Sequence, residues 1–228
     1  MRLRLIYKGF LSYGVARSLG KVVAAFLCLV SPVMAEEPVT VLALGDSLTQ
    51  GYGLPEQDGL VPQMQKWLED QGVEAELINA GVSGDTTAGG AARVEWSLTP
   101  EVDAMIVTLG GNDLLRGIDP AVSRRNIEAI LQVAEAKGVE VLLVGLKAPG
   151  NYGTEYKAAF DAIYSELSEA YDTLYAPDFF VGLGGGDPAT LQTWIQADGI
   201  HPNASGVERI VEGLGPQVRA LIEAAQAE

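Results

Sequence analysis

The sequence predicts an α/β fold in which helices cover both faces of one central, mainly parallel sheet. Short apolar runs alternate along the chain with longer stretches of helical, amphipathic periodicity, which is the pattern of parallel-sheet proteins. The longest runs are apolar at nearly every position, as in strands that are buried on both faces. With 228 residues, of which 48% are hydrophobic, the chain can form one domain with a substantial core.

Five strands are predicted from apolar runs that stop at turn-forming residues. The first run ends at Gly45, the second is closed by Gly81, and the third is broken by Gly110 and Gly111. In chain order, the predicted strands are Val39–Leu44, Glu76–Asn79, Ala104–Leu109, Val139–Leu146 and Thr173–Ala176.

Five helices are predicted from the spacing of apolar residues and from end signals. In the first, Leu60, Met64 and Leu68 recur at helical spacing. The third begins at Pro120 and is followed by Gly138, which is the usual asymmetry of helix ends. In chain order, the predicted helices are 59–71, 86–98, 120–137, 155–171 and 204–224.

The first 35 residues have the composition of an export signal. Five basic residues and no acidic residue precede Glu36, and an uncharged stretch at 22–35 ends in Val-Met-Ala, whose small outer residues suit a signal peptidase. The apolar stretch is shorter than the roughly 20 residues that cross a bilayer. We therefore predict a signal peptide over 1–35, one domain over 36–228, and a periplasmic or secreted protein. An uncleaved anchor helix is the alternative.

The chain beyond the predicted signal is strongly acidic. It contains all thirty Asp and Glu residues but only ten of the fifteen Lys and Arg residues, so its net charge is −20. Because such a surface repels nucleic acids and anionic lipids, we expect no nucleic-acid partner and no stable membrane insertion after signal cleavage. We expect a monomer. The one cysteine, Cys28, lies in the predicted signal, which leaves no disulfide and no thiol nucleophile.

Functional residues are expected in the segments that follow the strands. In open parallel sheets, ligands bind beyond the carboxyl ends of the strands. The glycine, aspartate, serine and asparagine residues of this sequence gather at those places, in the segments 45–53, 81–87, 110–115 and 147–153.

Hydrolysis by an activated serine is one chemistry that these segments can support. A nucleophilic serine needs a base to take its proton, and His201 is the only histidine in the chain. Asp198 precedes it by three residues and can fix the imidazole tautomer through a tight turn. Ser47 follows the first strand, where a helix start favours negative charge. Ser47 could equally cap that helix, and His201 could be a surface residue in a turn.

Two further residues after strands can stabilise an oxyanion. Gly81 can bring a bare N–H close to a substrate, and Asn112 offers a side-chain NH₂ group. A tight turn or an Asx turn would also explain them. Ser83 lies in Gly-Val-Ser-Gly-Asp at 81–85, which lacks the last glycine of a Gly-x-Ser-x-Gly nucleophile elbow, so we interpret it as a turn residue.

Four short blocks resemble those of the SGNH (GDSL) hydrolase superfamily, in the same order. The resemblance runs from about Thr40 to the end of the chain. The blocks are Gly-Asp-Ser-Leu at 45–48, Gly81, Gly-Gly-Asn-Asp at 110–113, and Asp198 with His201. Segments 79–86, 109–113 and 151–153 are similar to the bacterial arylesterase, acyl-CoA thioesterase I and lysophospholipase L1 group.

The resemblance implies a serine esterase that uses no cofactor and no metal. It would cleave aryl and acyl esters, lysophospholipids and acyl thioesters through an acyl-enzyme. Ser47 would be the nucleophile, His201 the base and Asp198 its orienting acid. The N–H groups of Ser47 and Gly81 and the Asn112 side chain would form the oxyanion hole. The implied fold is a flattened three-layer α/β/α sandwich with a five-stranded, flavodoxin-like sheet.

Relatives of this group use the loop after the asparagine to line an acyl groove. In this chain that loop carries Leu114, Leu115 and Ile118, and Tyr152 in the loop after the fourth strand is a second candidate for the wall. The glycine-rich segment 182–187 has no assigned role.

Two other function classes are weighed against this one. A metal-dependent phosphoesterase would use Asp46, Asp85 and Asp113, which all follow strands, although no second histidine exists to complete most ligand sets. Chelation with EDTA would abolish that activity and spare a serine hydrolase. A non-catalytic periplasmic binding protein usually has two α/β lobes, for which residues 36–228 are too few.

Overall fold

The computed structural model describes residues 38–184 and 191–227. The signal peptide predicted over 1–35 lies outside the described residues, as does the 185–187 part of the glycine-rich segment. Within the part of the chain that is described, no helix combines the length and apolar character needed to cross a membrane.

Five parallel strands form a single sheet at the centre of the fold. They are β1 (Val39–Gly45), β2 (Ala75–Gly81), β3 (Ala104–Thr108), β4 (Glu140–Val144) and β5 (Leu174–Ala176). Their order across the sheet is β2-β1-β3-β4-β5, and every neighbouring pair is parallel. The register places Gly45 beside Gly81 on one side and beside Thr108 on the other. The ends of three strands therefore meet at one edge, as the sequence predicted.

Seven α-helices lie wholly within the described residues, and they cover both faces of the sheet. They are α1 (Ser47–Gln50), α2 (Leu60–Asp70), α3 (Thr87–Ser97), α4 (Gly111–Leu115), α5 (Pro120–Lys137), α6 (Thr154–Ala170) and α7 (Ala204–Ala225). The helices α2 and α7 pack together on one face, and α3, α5 and α6 pack side by side on the other. The predicted α/β/α sandwich is confirmed.

The predicted element boundaries agree with the structure to within two residues. The helix α5 begins and ends where the sequence predicts, with Pro120 in its first turn, Asp119 as its N-cap and Gly138 at φ +65° as its C-cap. The helix α4 was not predicted, because five residues are too few to show a periodicity.

Candidate active site

Ser47 is the first residue of α1, directly beyond the carboxyl end of β1. Asp46 is the N-cap of this helix, and its side chain accepts a hydrogen bond of 3.0 Å from the Leu48 N–H. The interpretation of Ser47 as the helix cap is therefore wrong. Because Asp46 takes that role, the Ser47 hydroxyl is available to other partners.

His201 and Asp198 lie in the loop before α7, and both are brought to Ser47. The Nε2 atom of His201 is 2.8 Å from the Ser47 Oγ, and its Nδ1 atom is 2.6 Å from the Asp198 Oδ2. A carboxylate can only accept a hydrogen bond, so Nδ1 carries the proton and Nε2 is left to accept one from Ser47.

The Asp198 carboxylate is held in place by its own loop. Its Oδ1 accepts hydrogen bonds from the N–H groups of Ile200 (2.9 Å) and His201 (3.1 Å). The hydrogen bond from the His201 side chain and these two backbone bonds lower the pKa of Asp198 to about 2. The carboxylate is therefore ionised at any pH at which the protein would be assayed.

Asn112 is held in position by two aspartates, one that contacts its side chain and one that follows it in the chain. Its Nδ2 donates to the Asp46 Oδ2 at 3.3 Å, which orients the side-chain amide beside Ser47. The next residue, Asp113, is fully buried and accepts hydrogen bonds from the N–H and hydroxyl of Thr87 and from the hydroxyl of Ser123. These contacts anchor the first turn of α4 and with it the asparagine.

Gly81 lies against α1, but its N–H is already occupied. A Cβ at Gly81 would lie 2.3 Å from the Gln50 nitrogen, so only glycine fits here. The Gly81 N–H donates to the Asn79 Oδ1 at 3.0 Å.

Gly84, three residues further, has φ +85°, and its carbonyl accepts a hydrogen bond from Arg116. Among the described residues, no acceptor takes the Gly84 N–H, which makes it a free donor that the sequence did not single out.

Asp46 is an unusual carboxyl group, since it is only 2% exposed. Burial raises its pKa to about 6, and the hydrogen bonds from the Leu48 N–H and Asn112 offset only part of this effect. Sequence reasoning considered Asp46 only as a metal ligand. Its contact with the start of α1 is local, whereas its contact with Asn112 depends on the approach of α4 and could not be read from the sequence.

The burial of Asp46 should make the free energy of unfolding of the protein depend on pH. Its pKa is higher in the folded chain than in the unfolded chain, so its contribution is fully present below about pH 4 and is lost as the pH rises to about 6. In Asp46→Asn this loss disappears. We would measure the free energy of unfolding of both proteins in urea between pH 4 and pH 7. Over this range the value for the wild type should fall by up to about 3 kcal/mol relative to that of the variant. Parallel profiles for the two proteins would contradict this account.

A groove of about 970 Å³ opens beside Ser47 and has a largely apolar wall. Leu114, Leu115 and Tyr152 line it, and the Tyr152 hydroxyl donates to the Leu114 carbonyl at 2.6 Å. Ile118 is not part of the lining, and its carbonyl instead accepts a hydrogen bond from Tyr156. Further apolar lining residues, which the sequence did not indicate, include Leu48, Leu146, Phe180, Leu183, Ile195 and Ile200.

The three aspartates of the metal alternative are each engaged by donors of the protein itself. Asp46 is bound by Leu48 and Asn112, Asp85 forms an ion pair of 2.7 Å with Arg93, and Asp113 is satisfied by α3 and α5. In the described ranges, no cluster of three or more His, Cys, Asp or Glu residues is arranged to hold a metal ion.

Comparisons with known proteins give matches along most of the chain. Residues 43–209 match the GDSL-like Lipase/Acylhydrolase family. Esterase TesA of Pseudomonas aeruginosa is 38% identical over 198 residues, which cover 86% of this chain and 96% of that protein. Thioesterase 1/protease 1/lysophospholipase L1 of Escherichia coli is 35% identical over 185 residues, which cover 80% of this chain and 85% of that protein. A crystal structure of TesA matches with a TM-score of 0.73 at 39% identity, covering 80% of this chain and 99% of that structure.

Proposed function

This chain belongs to the GDSL-like lipase/acylhydrolase family and is an ester hydrolase, and we propose that Ser47, His201 and Asp198 are its catalytic triad. The observation that carries the proposal is the unbroken series of contacts from the Asp198 carboxylate through the imidazole to the Ser47 hydroxyl. The distances of 2.6 and 2.8 Å are those of hydrogen bonds, and the order of the groups is that of a nucleophile, its base and an orienting acid.

In the proposed mechanism, the Ser47 Oγ attacks the ester carbonyl carbon while its proton passes to His201 Nε2. The imidazolium then returns this proton to the oxygen of the leaving alcohol as the C–O bond breaks, which leaves an acyl group on Ser47. Water, deprotonated by His201, then attacks the acyl carbon, and the imidazolium returns this proton to the Ser47 Oγ as the bond between the acyl group and Ser47 breaks and the acid leaves. The ionised Asp198 stabilises the imidazolium in both halves of the reaction.

The oxyanion would be bound by donors around the start of α1. The Ser47 N–H has no partner within its own helix because it belongs to the first turn, and the Asn112 amide is oriented beside it by Asp46. A third donor would come from the turn after β2. Gly81, the residue that the sequence suggested, could serve only after Asn79 releases its N–H, whereas the N–H of Gly84 is free.

The groove supports substrates with an apolar acyl chain. Aryl and acyl esters and lysophospholipids have such a chain and carry no polyanionic group. Acyl-CoA does carry one, and a chain with a net charge of −20 beyond residue 35 offers it no electrostatic attraction. We therefore place esters and lysophospholipids ahead of thioesters as the substrates of this protein.

We also propose that residues 1–35 direct it to the periplasm or the exterior, where it acts as a monomer without nucleic-acid partners.

Alkyl fluorophosphonates of graded chain length test both the nucleophile and the groove. The serine oxygen displaces fluoride from phosphorus, so intact mass should show one adduct per chain, and peptide mapping should place it on Ser47. The rate of labelling should rise with alkyl chain length, because each buried CH₂ adds about 0.8 kcal/mol of favourable transfer. An adduct on another residue would refute the assignment of Ser47, and a rate independent of chain length would refute the role of the groove.

A further inference from the structure

Tyr52 lies in the turn that follows α1 and packs against the imidazole of His201. The two ring centroids are 4.7 Å apart, and the ring planes are inclined by 37°. The tyrosine nevertheless remains 51% exposed. Burial in the core therefore does not account for an aromatic side chain at this position, and the contact with His201 is its distinguishing feature.

The backbone of Tyr52 is fixed on both sides of the residue. Gly51 and Gly53 have φ values of +87° and +76°, a region that strains other residues. The Tyr52 N–H donates to the Ser47 carbonyl at 3.1 Å, which ties the turn to the residue proposed as the nucleophile. On the other side, the Tyr52 carbonyl accepts a hydrogen bond of 2.9 Å from the Gln196 Nε2.

Gln196 joins this turn to the loop that carries His201. Its side-chain Nε2 also donates to the Pro202 carbonyl at 2.9 Å, and its backbone N–H donates to the His201 carbonyl at 2.7 Å. One residue therefore holds both Tyr52 and the segment 201–202. The backbone of Tyr52 and that of His201 are thus held next to each other, which brings the two side chains within reach of one another.

We propose that Tyr52 is a positioning residue for the base, whose ring face stabilises His201 when the imidazole holds the proton taken from Ser47. The face of an aromatic ring carries partial negative charge and attracts a cation stacked on it. In the ester hydrolysis proposed above, on which this inference rests, the imidazole becomes a cation in each transition state. Gln196 acts in turn on Tyr52, by keeping its ring over the imidazole.

The other charged groups around His201 stay unchanged when Tyr52 is replaced. Asp198 contacts Nδ1 from the same loop, and Asp46 interacts electrostatically with the imidazole from the junction of β1 and α1. Asp46, whose pKa is about 6, titrates in the same range as an ordinary histidine, but both carboxylates are retained when Tyr52 is replaced. A difference in the titration of His201 between Tyr52→Leu and Tyr52→Phe therefore reports the loss of the aromatic face.

NMR titration of the untagged protein tests the proposal directly, because the chain contains a single histidine. In Tyr52→Leu the titration midpoint of the imidazole resonances should move to lower pH by about half a unit, and kcat should fall about two- to fivefold with KM unchanged. Tyr52→Phe keeps the ring and should match the wild type in both measurements. Gln196→Ala should shift the midpoint in the same direction as Tyr52→Leu.

Repeating the titration in a Ser47→Ala background separates this inference from the proposed triad, since no turnover is needed. An unchanged midpoint in Tyr52→Leu would overturn the inference, as would an equal shift in Tyr52→Phe. If Tyr52→Leu does not fold, an unchanged midpoint in Gln196→Ala overturns it instead. If the proposed triad were wrong but this inference were right, the shifts of the imidazole titration midpoint would still be observed. The error in the triad would then be visible only in the rates of ester hydrolysis.

Discussion

Replacement of Ser47 or His201 by alanine is expected to lower kcat for ester hydrolysis by about 10⁴- to 10⁶-fold. Ser47→Ala removes the atom that we propose bonds to the acyl carbon, and His201→Ala removes the only imidazole in the chain. Because the two groups act as one unit, the double variant should be scarcely slower than either single variant. Steady-state kinetics on a p-nitrophenyl ester, with active-site titration to exclude traces of wild-type enzyme, measures this loss.

Ser83→Ala is the matched control for the serine substitution. Ser83 is the serine of the near-match to a nucleophile elbow, and in the structure its hydroxyl donates to the Gln50 side chain at 2.9 Å. Its replacement should leave kcat close to the wild-type value. If Ser47→Ala kept near-normal hydrolysis while Ser83→Ala lost it, the proposed nucleophile would be wrong.

Asp198→Asn is expected to lower kcat by about 10⁴-fold with little change in the free energy of unfolding. The amide oxygen can still accept the N–H groups of Ile200 and His201, which preserves the turn. Its NH₂ group would then face Nδ1 of the imidazole and donate to it. That forces the proton onto Nε2, the atom that must accept the proton of Ser47.

The pKa of Asp198 is lowered to about 2, chiefly by its hydrogen bond with His201. This low pKa leads to an expectation for the pH–rate profile. Because this carboxyl group stays ionised above about pH 4, it should contribute no step to the wild-type pH–rate profile between pH 5 and 9.

Asp70→Asn, a change on the exposed face of α2, is a suitable control for the loss of one negative charge in Asp198→Asn. A loss of less than tenfold in Asp198→Asn would contradict the proposed role of the carboxylate.

Much of the site was predictable because parallel sheets bring the ends of their strands to one edge. That rule, applied to the order of the apolar runs, places Ser47, Gly81 and Asn112 in neighbouring segments, and the register of β1 with β2 and β3 agrees with it. The single histidine and the aspartate three residues before it are equally plain in the sequence.

The sequence did not show how the donors around the site are used. Gly81 was suggested because glycine allows a close approach, but the close approach that requires it is that of α1, at Gln50. Its N–H is taken by Asn79, two residues earlier. Ile118 was placed in the groove by its position in a loop, yet the path of that loop leaves it outside the lining.

By itself, the sequence determined the chain order and the approximate boundaries of the five strands and the five long helices, and it indicated the residues that we propose carry out ester hydrolysis. Those properties depend on local periodicity, on end signals and on residue chemistry, all of which a single chain displays. Only the tertiary structure decided that Asp46 accepts a hydrogen bond from Asn112, that Tyr52 faces His201 and that Gln196 ties the two loops together. These contacts join residues far apart in the chain, such as Gln196 and Tyr52, which are 144 positions apart, and their geometry depends on how the helices pack on the sheet.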